Sequence, residues 1–162
     1  MPTIADIAKS KKVIAIHGAF LRNGEMAVRR LYATHEFGQW YRSDLRRLDE
    51  GFAEPILPSE QVDVRLRQFV LGAPQILPRT QLRILRHHVG IVWELKTRDV
   101  RIFGAFPEKD AFLMHCGEDA TLVKTNGLYE SMGDAASNAF SKLADGKLNF
   151  IKSGSIGDVI SD

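Results

Sequence analysis

The sequence predicts an α+β fold: N-terminal strands and two helices, then a curled antiparallel sheet of three to four strands, then a C-terminal helix. Two observations carry this expectation. Between Thr34 and Val70 apolar residues recur every three to four positions, the period of an amphipathic helix, whereas from Leu82 to Cys116 they fall into short runs with a period nearer two. The later runs are joined by short polar stretches, such as Thr97-Arg98-Asp99 and Pro107-Glu108-Lys109-Asp110. Connections this short make hairpins and leave no room for the crossover helices of a parallel sheet.

Taken in order, Lys12 to Phe20 is β-branched and apolar and is followed by Asn23-Gly24, a hairpin signal, and then by Met26 to Tyr32. The two runs read as an antiparallel pair. Thr34 reads as the N-cap of a helix over 35–48, with Phe37, Trp40, Tyr41, Leu45 and Leu48 on one side and Arg42, Asp44, Arg46 and Arg47 largely on the other. Two prolines make 51–58 a loop. Ser59 and Glu60 open a second helix through Val62, Leu66, Phe69 and Val70, closed by Gly72-Ala73-Pro74. Strands are expected at Leu82–Arg86, Ile91–Lys96, Val100–Phe106 and Ala111–Cys116, and a last helix at Ala135–Leu143. The whole reads as one domain over residues 1–162: an N-terminal strand extension (1–31), a core (32–146) and a surface tail (147–162).

Apolar residues make up 44% and charged residues 26%, enough for a core and ordinary for a globular chain. No run approaches the roughly 20 apolar residues that span a bilayer, and Met1 to Lys12 is polar and charged where a secretion signal is apolar. The expectation is a cytoplasmic protein with no membrane partner. The lone Cys116 forms no intramolecular disulfide and no multi-cysteine metal site, and reads as a small buried residue.

Ile16-His17-Gly18 has the look of an oxyanion-hole segment, but no Gly-x-Ser-x-Gly nucleophile turn accompanies it. Neighbouring His87 and His88 would point to opposite faces of a strand, and no HExxH or CxxC completes a metal set, so no metal is expected. Phosphate-loop and dinucleotide glycine motifs are absent, so no cofactor is expected either. The distribution of charge is more informative. The net charge is only +2, yet Arg79 to Arg101 holds six Arg or Lys against two acids, the footprint a polyphosphate ligand would use or simply a solvated face. Arg101 alternates with Val100 and Ile102 and is either a rim residue or a paired, functional cation, with Lys96 near it across a hairpin.

At these residues the chain resembles the RelE/HigB toxins of the RelE/ParE superfamily, in its phage-derived HigB-like branch. The similarity rests on Leu85-Arg86, Gly90, Trp93-Glu94-Leu95-Lys96, Thr97-Arg98-Asp99 and Arg101-Ile102-Phe103, with Thr34 to Trp40 upstream and Val123-Lys124-Thr125 and Leu128-Tyr129 downstream. It covers about residues 32–143. It implies a RelE-like fold and an endoribonuclease that cleaves messenger RNA, usually on the ribosome, by metal-free 2′-hydroxyl attack. Arg101 would stabilise the phosphate, Lys96 and Lys124 would add charge or move protons, and Tyr129 would stack on a base. Arg83, Arg86, His87 and Arg98 would bind RNA, and a small antitoxin protein would neutralise the toxin. The chain departs from the pattern at Gly117-Glu118-Asp119, acidic where the family is basic, and in residues 1–30, which the shortest toxins lack. These departures suit an alternative: a non-catalytic phage or plasmid protein of the same fold that inhibits a host protein or RNA–protein complex.

Overall fold

The computed structural model describes residues 1–73, 81–85 and 91–161; Arg79, Arg86, His87, His88 and Gly90 lie outside them. The chain begins with a helix that the sequence reading omitted, α1 (Ile4–Lys9), started by a capping box in which Thr3 and Asp6 satisfy each other's backbone N–H groups. The expected strand over 12–20 shrinks to β1 (Ile14–Ala15), because Ala19 N–H and Leu21 N–H bond back to Ile16 and Gly18 carbonyls and wind His17–Phe20 into a 3₁₀ turn. β2 (Arg30–Ala33) still pairs with it antiparallel, Ile14 opposite Ala33.

Thr34 caps α2 (His35–Arg42), its hydroxyl accepting from Phe37 N–H. The single helix expected over 35–48 is two, because Ser43 leaves helical geometry and donates its hydroxyl to Gln39 carbonyl, and α3 (Asp44–Asp49) restarts beyond it. α4 (Pro58–Val70) starts with proline in its first turn and the Glu60 carboxylate accepting from Leu57 N–H.

Four further strands follow: β3 (Leu82–Ile84), β4 (Trp93–Lys96), β5 (Val100–Glu108) and β6 (Ala111–Asp119). They form the expected antiparallel meander. The sheet is larger than expected, six strands in the order β1-β2-β6-β5-β4-β3, because β2 adds to β6 in parallel with Arg30 opposite Ala111. α2 to α4 and the meander supply the long connection that a parallel pair needs.

The sheet has a core on each face. Leu95, Ile102, Phe112 and Met114 face α2 and α4 with Phe37, Trp40, Leu66 and Phe69, while Phe103, Ala105 and Leu113 face the other way with α1 and two later helices, α5 (Ala120–Thr125) and α6 (Tyr129–Lys142). The tail expected on the surface is instead packed. Leu148, Val159 and Ile160 are buried, Val159 in a final helix α7 (Ile156–Val159), and Ser161 donates its N–H and hydroxyl to the Asp110 carboxylate. Residues 1–31 likewise serve the core through Ile4, Ile7, Val13 and Leu31. Among the described residues no helix is long and apolar enough to cross a membrane.

β6 bulges between Met114 and Cys116, which oppose Gly104 and Phe103, and the extra residue is His115. Its ring is buried edge-on to Phe140, with Nδ1 3.0 Å from Thr34 Oγ1. Burial pulls the imidazole below its ordinary value of 6.5, with Glu36 acting the other way. A depressed value means that the folded state favours the neutral ring, so this stability is complete above 6.5 and is lost as pH falls from there towards the folded value. The urea midpoint should drop between neutral pH and about pH 5.5, and the drop should shrink in His115→Gln. An equal drop in both proteins would assign it to other groups.

Candidate nucleic-acid interface

The hairpin register brings the basic residues together. Lys96 stands opposite Arg101, Arg83 opposite Glu94, and Arg101 opposite Glu118, so alternation puts all five side chains on the α5–α6 face of the sheet. Tyr129, at the start of α6, reaches the same place: its ring meets Phe103 edge-on and Arg83 lies over it, 5.5 Å from the centroid. Lys124 comes from α5, a helix that Asp119 starts by accepting from Thr121 and Leu122 N–H at 2.7 and 3.0 Å.

Depth divides the set. Arg83 and Lys124 are exposed and Lys96 and Tyr129 half-buried, but Arg101 is only 7% accessible. Its guanidinium donates to the Thr97 and Val100 carbonyls at 2.6 and 3.0 Å, and its Nε is 3.1 Å from Oε1 of fully buried Glu94, too far out of line for a hydrogen bond. The other oxygen of Glu94 accepts from Arg83 Nε. Of the two alternatives the sequence left open for Arg101, it is therefore the paired cation and not a rim residue, and it is buried rather than open to solvent. Apolar neighbours gave its direction, whereas its depth comes from the helices laid over that face.

Burial, then repulsion from Arg83, Arg101 and Lys124, lowers the pKa of Lys96, while Glu94 pulls the other way. Arg98 is not part of the group: it is exposed, bonded to Asp99 at 2.9 Å and 4.0 Å from Glu54. Arg86 and His87 lie outside the described residues.

The acidic stretch Gly117-Glu118-Asp119 has local reasons. Asp119 caps α5, Glu118 faces Arg101, and Gly117 lies under the Trp40 indole. None of these was legible as such, though Asp119 followed by Ala120-Thr121-Leu122 is a cap signal. The Cys116 thiol is pushed up to about 12 by burial and then Glu118, and donates to the Met132 carbonyl, so it is no nucleophile at neutral pH. Among the described residues no three His, Cys, Asp or Glu side chains are grouped as a metal site.

Fold and site thus define an α+β protein with a mixed sheet and a basic, half-covered sheet face. Compared with known proteins, the chain matches no family model, no curated protein and no solved structure.

Proposed function

We propose that the chain is a RelE/HigB-type toxin that binds messenger RNA on the face around Lys96 and cleaves it, on the ribosome in the cytoplasm, without a metal. The observation that carries this reading is the crowding of Lys96. Arg83, Lys96, Arg101 and Lys124 are gathered against Glu94 and Glu118, an excess of positive charge that a phosphodiester would relieve.

In the proposed reaction an RNA 2′-oxygen attacks the adjacent phosphorus and the bond from phosphorus to the 5′-oxygen breaks, leaving a cyclic phosphate and a free 5′-hydroxyl. One proton leaves the 2′-hydroxyl and one reaches the 5′-oxygen. Lys96, with its lowered pKa, suits proton transfer, Arg83 and Lys124 stabilise the phosphorane charge, and Tyr129 stacks on a base. Arg101 acts as a positioning residue, holding Glu94 and the strand pair in register. An amphipathic helix of a small antitoxin would neutralise the protein by covering this face.

Expression should arrest growth, and Lys96→Ala or Lys124→Ala should relieve the arrest. With about three to four phosphate contacts, affinity for single-stranded RNA should fall with salt at a log–log slope of about −2 to −3. Harmless expression together with no RNA binding at low salt would overturn the reading. The burial of Arg101 against Glu94 favours a second one, a non-catalytic protein that uses this face to inhibit a host protein or RNA–protein complex. It predicts harmless expression and a stoichiometric complex.

A further inference from the structure

On the opposite side of the sheet residues of β1, the 3₁₀ turn, α2 and α4 line a cavity of about 610 Å³, within the roughly 300–1,000 Å³ of small-molecule sites. Its walls are Ile14 of β1, Phe20 of the 3₁₀ turn, Phe37 and Tyr41 of α2 and Val64 of α4. Gly38 lines it too. A glycine inside a helix costs about 0.5–1 kcal/mol relative to alanine. Here a Cβ would come within 3.3 Å of the Arg42 guanidinium and 3.6 Å of Ile14 Cδ1, so the missing side chain keeps the cavity wall open.

Polar groups are few and unevenly charged. Arg67 is held by Glu25 through two bonds of 2.6 and 2.8 Å and by the Phe20 carbonyl, and Tyr41 donates its hydroxyl to Asp63. Arg22 and Arg42 are exposed and line the cavity with them. Glu25 matches Arg67 and Asp63 is taken by Tyr41, whereas neither the Arg22 nor the Arg42 guanidinium has an ion pair or hydrogen bond among the described residues, and Arg42 is the one that stands beside Gly38 at the open wall.

We infer that this cavity binds an amphipathic small-molecule monoanion, a carboxylate with a hydrocarbon body, whose chain lies between Phe20, Phe37 and Tyr41 and whose head group pairs with Arg42. The apolar walls supply affinity, and the excess positive charge at Arg42 selects the sign of the head group. The site lies across the sheet from Lys96, so it stands apart from the RNA reading.

The test uses the whole chain and two probes with the same tail, decanoate and decyltrimethylammonium, titrated by calorimetry and by nuclear magnetic resonance shifts. Decanoate should saturate one site and move Ile14, Phe37 and Gly38 resonances, and the cationic probe should not compete. Arg42→Glu, at an exposed position, should weaken decanoate by about tenfold or more. Ala19→Trp, at an exposed lining position, should abolish binding with an unchanged melting temperature. RNA binding should be untouched by either substitution. No saturable binding, equal affinity for the two probes, or full affinity in both variants would overturn the assignment.

Discussion

Glu94→Ala should destabilise the protein by about 3–5 kcal/mol, the cost of leaving a buried charge without its partner. The Glu94 side chain is fully buried, and it is the carboxylate facing both Arg101 and Arg83. Arg83 can swing into solvent when Glu94 is lost, being 46% exposed, but Arg101 cannot. Its two carbonyl acceptors satisfy hydrogen bonds without neutralising charge. Replacing both members, Glu94→Leu with Arg101→Met, should recover most of the loss, since a buried ion pair is often no more stabilising than apolar side chains of similar volume. Urea unfolding of the two variants beside the parent protein decides the matter. A loss below about 1 kcal/mol in Glu94→Ala would mean that the pair is solvated and that Arg101 is open to ligands. The folded double variant also bears on function: if it keeps RNA binding, Arg101 is outside the phosphate contacts, and if it loses it, burial does not prevent Arg101 from serving them.

The parts of this fold legible in the sequence are those set by local chemistry. Thr34 and Ser59-Glu60 mark helix starts, although Pro58, read as the end of a loop, is already the first residue of α4; Gly72 ends that helix with a positive φ, and the alternation in 93–116 gave β4 to β6 and their hairpins. What was missed depends on partners distant in sequence. β2 joins β6 in parallel from half a chain away, Arg30 opposite Ala111, and Ala33-Thr34 carries no sign of that. The tail from Lys147 has the composition of a loop, yet Val159 and Ile160 find an apolar site that exists only once the sheet is formed. The same limit applies to the basic face: alternation grouped Arg83, Lys96 and Arg101 correctly by side, but accessibility is set by α5 and α6. The cavity between α2 and α4 was not legible at all, because its lining reads as an ordinary helical apolar stripe with one glycine in it.

Trp40→Ala should cost about 3–5 kcal/mol, and its loss should be coupled to a glycine seventy-seven residues away. Trp40 fills the angle between α2 and β6, tilted against Phe37 at 5.5 Å, and its six-membered ring lies directly on Gly117. A Cβ built on Gly117 would stand 2.5 Å from Cη2 of the indole, closer than real contacts allow, so one side must move. Gly117→Ala alone should therefore destabilise by roughly 1–3 kcal/mol, the usual cost of overpacking a core. In the Trp40→Ala background the obstruction is gone and the added methyl enters a cavity, so the same substitution should be neutral or slightly stabilising. The double-mutant cycle thus predicts a coupling of about 1–3 kcal/mol, measured from urea midpoints. Additive losses would mean that Trp40 does not rest on the end of β6. That would also remove the packing reason for a glycine at 117.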